Sequence, residues 1–245
     1  MNMRLSGREK TGTVRNRPEE REEEMTEAVI FDLDGTILDN EQLWEEAFVK
    51  VMKKQNLKIS LRQKNGWKHE PGLGLTLNWR NILAANEIQD PMQVRKTVSE
   101  TVKEYNDLNQ DLKLREGVEE VVETVKQRGW RTALSTGSDW FTVEKELEEL
   151  GLMLAFEVTT TGEEVYLPKP DPEIYVLTGQ KLGIEPENCL VVEDSVAGAR
   201  SALEAGMRVA AIKSAYADEA TFKALGVQFI VKDFNELKEI ISNIE

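Results

Sequence analysis

Two carboxylates two residues apart, Asp32 and Asp34, follow directly on the apolar run Ala28-Val29-Ile30-Phe31, and Gly35 and Thr36 come next. The run is rich in strand formers and short enough to be one buried strand. Paired acids at the end of a buried strand are costly, because like charges repel and lose hydration there. Such a pair persists where a metal ion or a positively charged group offsets it; without such a partner, the same five residues are an ordinary acidic turn. Three other places carry groups suited to the same chemistry: Ser135-Thr136-Gly137-Ser138, Lys169 between Pro168 and Pro170, and Glu193-Asp194-Ser195. Taken singly they have plainer readings. Hydroxyls after a strand cap helices, a lysine between prolines sits in surface turns, and acids favour helix N-termini. Together they are the parts of a site that handles an anion with acids, hydroxyls and one cation.

The surrounding pattern explains how they could meet. Apolar residues recur at helical spacing through 41–114 (Leu43, Trp44, Ala47, Phe48, Val51, Met52; later Val94, Val98, Val102, Tyr105), with no clear strand. From Gly117 onward helices alternate with apolar strands, which are expected over 130–134, 154–158, 189–192, 207–212 and 227–231. This alternation predicts an α/β fold, a doubly wound parallel sheet covered on both faces, with a helical insertion after the first strand. Ligands bind at the carboxyl ends of strands in such sheets, and the acidic and hydroxylic groups all fall there. The expected division is a charged flexible tail over 1–24, an α/β core from 25–40 and 115–245, and a helical cap over 41–114. The tail has six basic residues, six glutamates and few large apolar side chains. It cannot bury enough surface to offset its ordering entropy.

Of 245 residues, 40% are hydrophobic, enough for one substantial core and a smaller unit. The net charge of -14 argues against nucleic acid as a partner. An anionic ligand would need Lys, a divalent cation or backbone N–H groups to make its site locally positive. The single cysteine, Cys189, permits no intrachain disulfide; it reads as buried packing and suits a reducing, cytoplasmic setting. No apolar run approaches the ~20 residues of a membrane helix, and no signal-peptide pattern is visible.

Asp32-Leu33-Asp34-Gly35-Thr36, Thr136, Lys169 and Glu193-Asp194 resemble the four motifs of the haloacid dehalogenase-like hydrolases. The longer strings FDLDGTILDNE, KPDPEIY and VVEDSVAGARSALEAGM resemble the branch that holds β-phosphoglucomutase and phosphoglycolate phosphatase, in which a helical cap follows the first motif. The resemblance implies that Asp32 is a nucleophile forming an aspartyl phosphate. It makes Asp34 the general acid and then the base toward water. Lys169 is implied to neutralise charge on Asp32 and the phosphate, and Thr136, followed by Gly137, to bind a phosphate oxygen; Ser135 is the alternative hydroxyl. It further implies Mg²⁺ held by Asp32, the backbone carbonyl of Asp34 and Asp194, with Glu193 bound through water or placed behind. Such an all-oxygen set suits that ion.

The expected activity is Mg²⁺-dependent hydrolysis of a small phosphorylated metabolite such as a sugar phosphate. A phosphosugar mutase or a catalytically silent binding module are the alternatives. Mutases of this branch carry a His soon after the first motif and a basic cap stretch. Here Asn40-Glu41-Gln42-Leu43-Trp44 has no His, and residues 66–74 depart from that pattern, which favours the phosphatase. Trp67, Lys68, His69, Trp79 and Arg80 are candidate cap contacts, although the tryptophans read better as core and His69 as a solvent-facing or capping residue. Hinges are expected at 39–41 and 114–117, and the chain is expected to act as a monomer, with a homodimer as the alternative.

Overall fold

The computed structural model describes residues 25–58, 68–109 and 111–244. The expected tail over 1–24 and the candidate Trp67 lie outside the described residues. Strands β1 (Ala28–Phe31), β2 (Arg131–Ser135), β3 (Val158–Thr160), β4 (Cys189–Glu193), β5 (Arg208–Ile212) and β6 (Phe229–Val231) form one sheet in the order β3-β2-β1-β4-β5-β6. Every pairing is parallel. The chain lays β2 and β3 on one side of β1, then crosses to lay β4, β5 and β6 on the other. The crevice at this switch point lies beyond the carboxyl ends of β1 and β4.

Alternate residues of each strand feed two cores. Val29 and Phe31 join α4 (Val118–Gln127), α5 (Trp140–Glu149) and α9 (Phe234–Asn243) on one face. Ala28 and Ile30 join α6 (Glu173–Leu182), α7 (Val196–Glu204) and α8 (Glu219–Leu225) on the other. All four residues of β1 are fully buried, as a central parallel strand requires. Cys189 is buried in the second core. The strand expected over 154–158 starts later, at Val158. Leu154 lies 93% exposed in a turn, while Ala155 and Phe156 tuck into the first core. Apolar content there serves packing of the turn, and pairing begins only where Val158 reaches Ala133.

Helices α1 (Glu41–Lys54), α2 (Leu75–Ala85) and α3 (Pro91–Leu108) follow β1. They bury their own cluster, Phe48, Val51, Met52, Trp79, Ile82 and Leu83. The chain leaves and returns side by side: Leu38 bridges Leu114, and the Arg115 N–H donates to the Ile37 carbonyl at 2.9 Å. Among the described residues no helix is long and apolar enough to cross a membrane.

Candidate active site

Register places the first acid. Phe31 is level with Leu134 on one side and Val192 on the other, so the next residues, Asp32, Ser135 and Glu193, stand abreast at the sheet edge. The Asp32 N–H donates to the Val192 carbonyl at 3.0 Å, which keeps β1 in line until the acid is reached. The chain then turns at Gly35, whose φ of +77° falls in the left-handed region. A Cβ there would also approach the Asp194 carboxylate to 2.6 Å. The Thr36 hydroxyl donates to Asp194 Oδ1 at 3.2 Å, joining the first motif to the last.

Lys169 is the hub. Its ammonium, 2% exposed, lies 2.7 Å from Asp32 Oδ1 and 2.7 Å from Glu193 Oε1. It also donates to the Tyr175 hydroxyl at 3.0 Å and the Ser135 carbonyl at 3.3 Å. Burial alone would lower its pKa, but Asp32 and Glu193 outweigh that and hold it well above the usual lysine value. Burial pushes Asp32 well up, against the pull of Lys169, and pushes Asp194 up to about 7, with Glu193 adding to the rise.

Both oxygens of Glu193 are committed. Oε1 accepts from Lys169 and from the Tyr175 hydroxyl at 2.7 Å; Oε2 accepts from the Ser195 N–H at 3.1 Å and its hydroxyl at 2.9 Å. The same Ser195 hydroxyl caps α7 through the Gly198 N–H. Glycine is required at 198, since a Cβ would come 1.7 Å from Glu193 Oε1. Asp194 differs: its Oδ2 is buried with no hydrogen-bond partner. Ligand atoms of Asp32, Glu193 and Asp194 all lie within 4.8 Å of one another. Three buried carboxylates against one ammonium, with an orphaned oxygen among them, fit a hard divalent cation.

Asp34 is held by a separate set of groups. Its Oδ1 accepts from Asn40 Nδ2 at 2.6 Å and Trp44 Nε1 at 2.7 Å; its Oδ2 accepts from the Ser138 hydroxyl at 2.6 Å and Thr136 at 3.4 Å. Its carboxylate is therefore no member of the acidic cluster of Asp32, Glu193 and Asp194. Behind Asn40, Tyr105 stacks on Trp44 with centroids 3.7 Å apart and donates to Glu146 Oε1 at 2.6 Å. Burial, with Asp34 nearby, raises Glu146 to about 8.

Asp32, Asp34, Thr136, Gly137 and Lys169 line one cavity of about 40 Å³. Ser135 does not: its hydroxyl is buried without a partner, and its carbonyl faces Lys169. Ser138 also lines the cavity, and the rest of its wall comes from the helical insertion. Glu41, Trp44, Gly72, Gly74, Leu75 and His69 close it. His69, read as a solvent-facing or capping residue, is instead buried and stacked on Phe48 at 4.6 Å. Burial lowers its pKa to about 3, so it is neutral. Trp79 belongs to the insertion's core and bonds Thr101, Arg80 is exposed on a separate groove, and Lys68 lines a neighbouring cleft. Asn40, Glu41, Trp44, Ser138 and Tyr175 were not foreseen as site residues. For the first three the signal was their position on the first turn after the acids.

The haloacid dehalogenase-like hydrolase description matches residues 26–206. The chain belongs to this family. A relative in Thermotoga maritima named phosphorylated carbohydrates phosphatase is 33% identical over 223 residues, covering 88% of this chain and 100% of its own length. Hexitol phosphatase B of Escherichia coli is 28% identical over 181 residues, covering 74% of this chain and 81% of its own. A crystal structure of β-phosphoglucomutase from Clostridium difficile matches at a TM-score of 0.74 and 24% identity, over 89% of this chain and 96% of that one, and shares the fold. As in other haloacid dehalogenase-like hydrolases, the six-stranded sheet carries an inserted helical cap, here α1 to α3.

Proposed function

We propose that this hydrolase is a phosphatase of small phosphorylated carbohydrates that works through an aspartyl phosphate on Asp32. The observation that carries the reading is the convergence of Asp32, Asp34, Thr136 and Lys169 on one cavity. At ~10–15 Å³ per water position, about 40 Å³ admits a phosphoryl-sized group and excludes a folded protein. An adjoining cleft of about 240 Å³ shares Gly74, Gly137 and Lys169 with it and offers room for the alcohol portion. The relatives' names point to the same substrate class.

In the first half-reaction an oxygen of Asp32 bonds to phosphorus as the bond to the leaving alcohol oxygen breaks. Asp34 gives that oxygen a proton. In the second half-reaction Asp34 takes a proton from water as its oxygen attacks phosphorus, which frees phosphate and restores Asp32. Lys169 offsets negative charge on Asp32, and the hydroxyl of Thr136 donates to a phosphate oxygen. A divalent cation such as Mg²⁺ would be held by Asp32, Asp194 and the Asp34 carbonyl, and would supply the counter-charge that lets one anion attack another. Glu193, with every oxygen already engaged, holds Lys169 in place. The segments at 39–41 and 114–117 act as the hinges on which 41–114 opens to admit substrate.

Phosphate release measured over a panel of sugar and polyol phosphates, with and without Mg²⁺, tests this reading. Turnover that needs Mg²⁺ supports it; no turnover by folded protein on any member refutes it. Conversion of β-glucose 1-phosphate to glucose 6-phosphate without net phosphate release would replace hydrolysis by mutation of the phosphate position.

A further inference from the structure

Two polar groups in the cavity wall have no place in the chemistry above. Glu41, the first residue of α1, and His69, in the loop before α2, are 7% and 9% exposed. Glu41 Oε2 and His69 Nδ1 face each other at 3.8 Å. That gap is too long for a hydrogen bond, and each atom is buried without any partner. Both residues line the cavity that holds Asp32 and Asp34. Leaving two such atoms unsatisfied is unfavourable, so the pair is built for something that enters between them.

We propose that Glu41 and His69 form the receptor for a hydroxyl on the alcohol portion of the substrate, and so select polyol and sugar phosphates over simple alkyl phosphates. A hydroxyl fits this gap because it donates once and accepts as well. It can sit about 2.8 Å from each atom. It donates to one partner and accepts from the other, whichever of the two carries the proton between them. The placement also suits the leaving side of the ester. Thr136 and Lys169 serve the phosphoryl group, whereas Glu41 begins the helix whose Trp44 holds Asp34, the proton donor to the alcohol. The His69 ring is fixed by its stack on Phe48, 4.6 Å between centroids and 19° between planes. The two partners come from separate segments, the start of α1 and the stretch just before α2. Gly72, three residues after His69, sits against Ser195, where a Cβ at 72 would approach the Ser195 hydroxyl to 2.2 Å.

The inference rests on the phosphatase reading and is tested by kcat/KM for glycerol 1-phosphate and a hexitol phosphate against n-propyl and n-hexyl phosphate. The wild-type protein should prefer the hydroxylated member of each pair by roughly 10–100-fold, because the alkyl ester leaves its buried polar pair unsatisfied. His69→Phe, which keeps the stack, and Glu41→Met, which keeps the volume, should each shrink that preference to within about threefold. The double variant should shrink it no further, since both residues serve one hydroxyl. An unaltered preference in folded single variants overturns the inference. So does a wild-type protein that hydrolyses both members of each pair equally, a readout that needs no variant. If the wild type hydrolyses no phosphate ester in the presence of Mg²⁺, the phosphatase reading itself falls and the inference with it.

Discussion

Replacing Lys169 with methionine probes the centre of the site, because this one ammonium stands between two buried carboxylates. At 2.7 Å and an effective dielectric of 20, each contact is worth about 6 kcal/mol of gross attraction. Most of that repays the dehydration of the three charges, so the net cost of removing the ammonium is the cost of stranding Asp32 and Glu193, about 3–5 kcal/mol. That is a large share of the ~5–15 kcal/mol that holds a domain folded. The loss should depend on pH. Asp32 is already pushed well above the usual carboxylate value by burial, and without Lys169 it rises further. The folded variant then binds more protons than the unfolded chain from roughly pH 4 upward, so its stability falls as pH rises through that window. Urea unfolding followed by tryptophan fluorescence should therefore give the full deficit at pH 8 and a clearly smaller one at pH 5. Millimolar Mg²⁺ should stabilise the variant more than the wild type, since it supplies the missing counter-charge. A Lys169→Met protein as stable as wild type at pH 8, or equally destabilised at both pH values, would refute the reasoning.

Gly198→Ala should cost about 1–3 kcal/mol, because the added Cβ meets Glu193 Oε1 at 1.7 Å and that carboxylate cannot move without releasing Lys169. A thermal melt should fall by roughly 2–10 °C, and an unchanged melt would contradict the packing argument. Glu146, raised to about 8 by burial, holds its proton in the folded chain well above the pH at which the unfolded chain releases it. It therefore favours folding below about pH 4.5 and loses that contribution as pH rises to about 8, by up to ~1.4 kcal/mol per unit. Glu146→Gln should flatten stability across this window, and an unaltered pH profile would count against it.

The fold was legible where sequence pattern and physical role coincide. Residues 28–31 and 189–192 read as buried strands because every residue in them is apolar, and both are central in the sheet. The edge strand β3 was misplaced because Leu154, Ala155 and Phe156 look like strand but serve a turn; edge pairing leaves little trace in an apolar count. Most of the catalytic candidates were legible because they sit at or just past strand ends, which parallel topology gathers on one edge; Lys169 reaches the same edge from the loop after β3. What surrounds Asp34 was not. Asn40, Trp44 and Ser138 reach it through side-chain directions that spacing does not reveal, and Trp44 reads as helix core because its ring is core while its N–H is not. His69 was misjudged for a related reason: a glycine-rich stretch suggests exposure, while the ring is in fact buried and stacked on Phe48 of the insertion.

In the proposed mechanism an Asp32 carboxylate oxygen receives the phosphoryl group. Rapid acid quenching of the protein with substrate and Mg²⁺, followed by peptide mass spectrometry, should find one phosphoryl group on the peptide containing Asp32. The Asp32→Asn protein, folded as wild type, should show none and release no phosphate. Phosphate release by the Asp32→Asn protein, or a phosphoryl group trapped on any other residue, would contradict it.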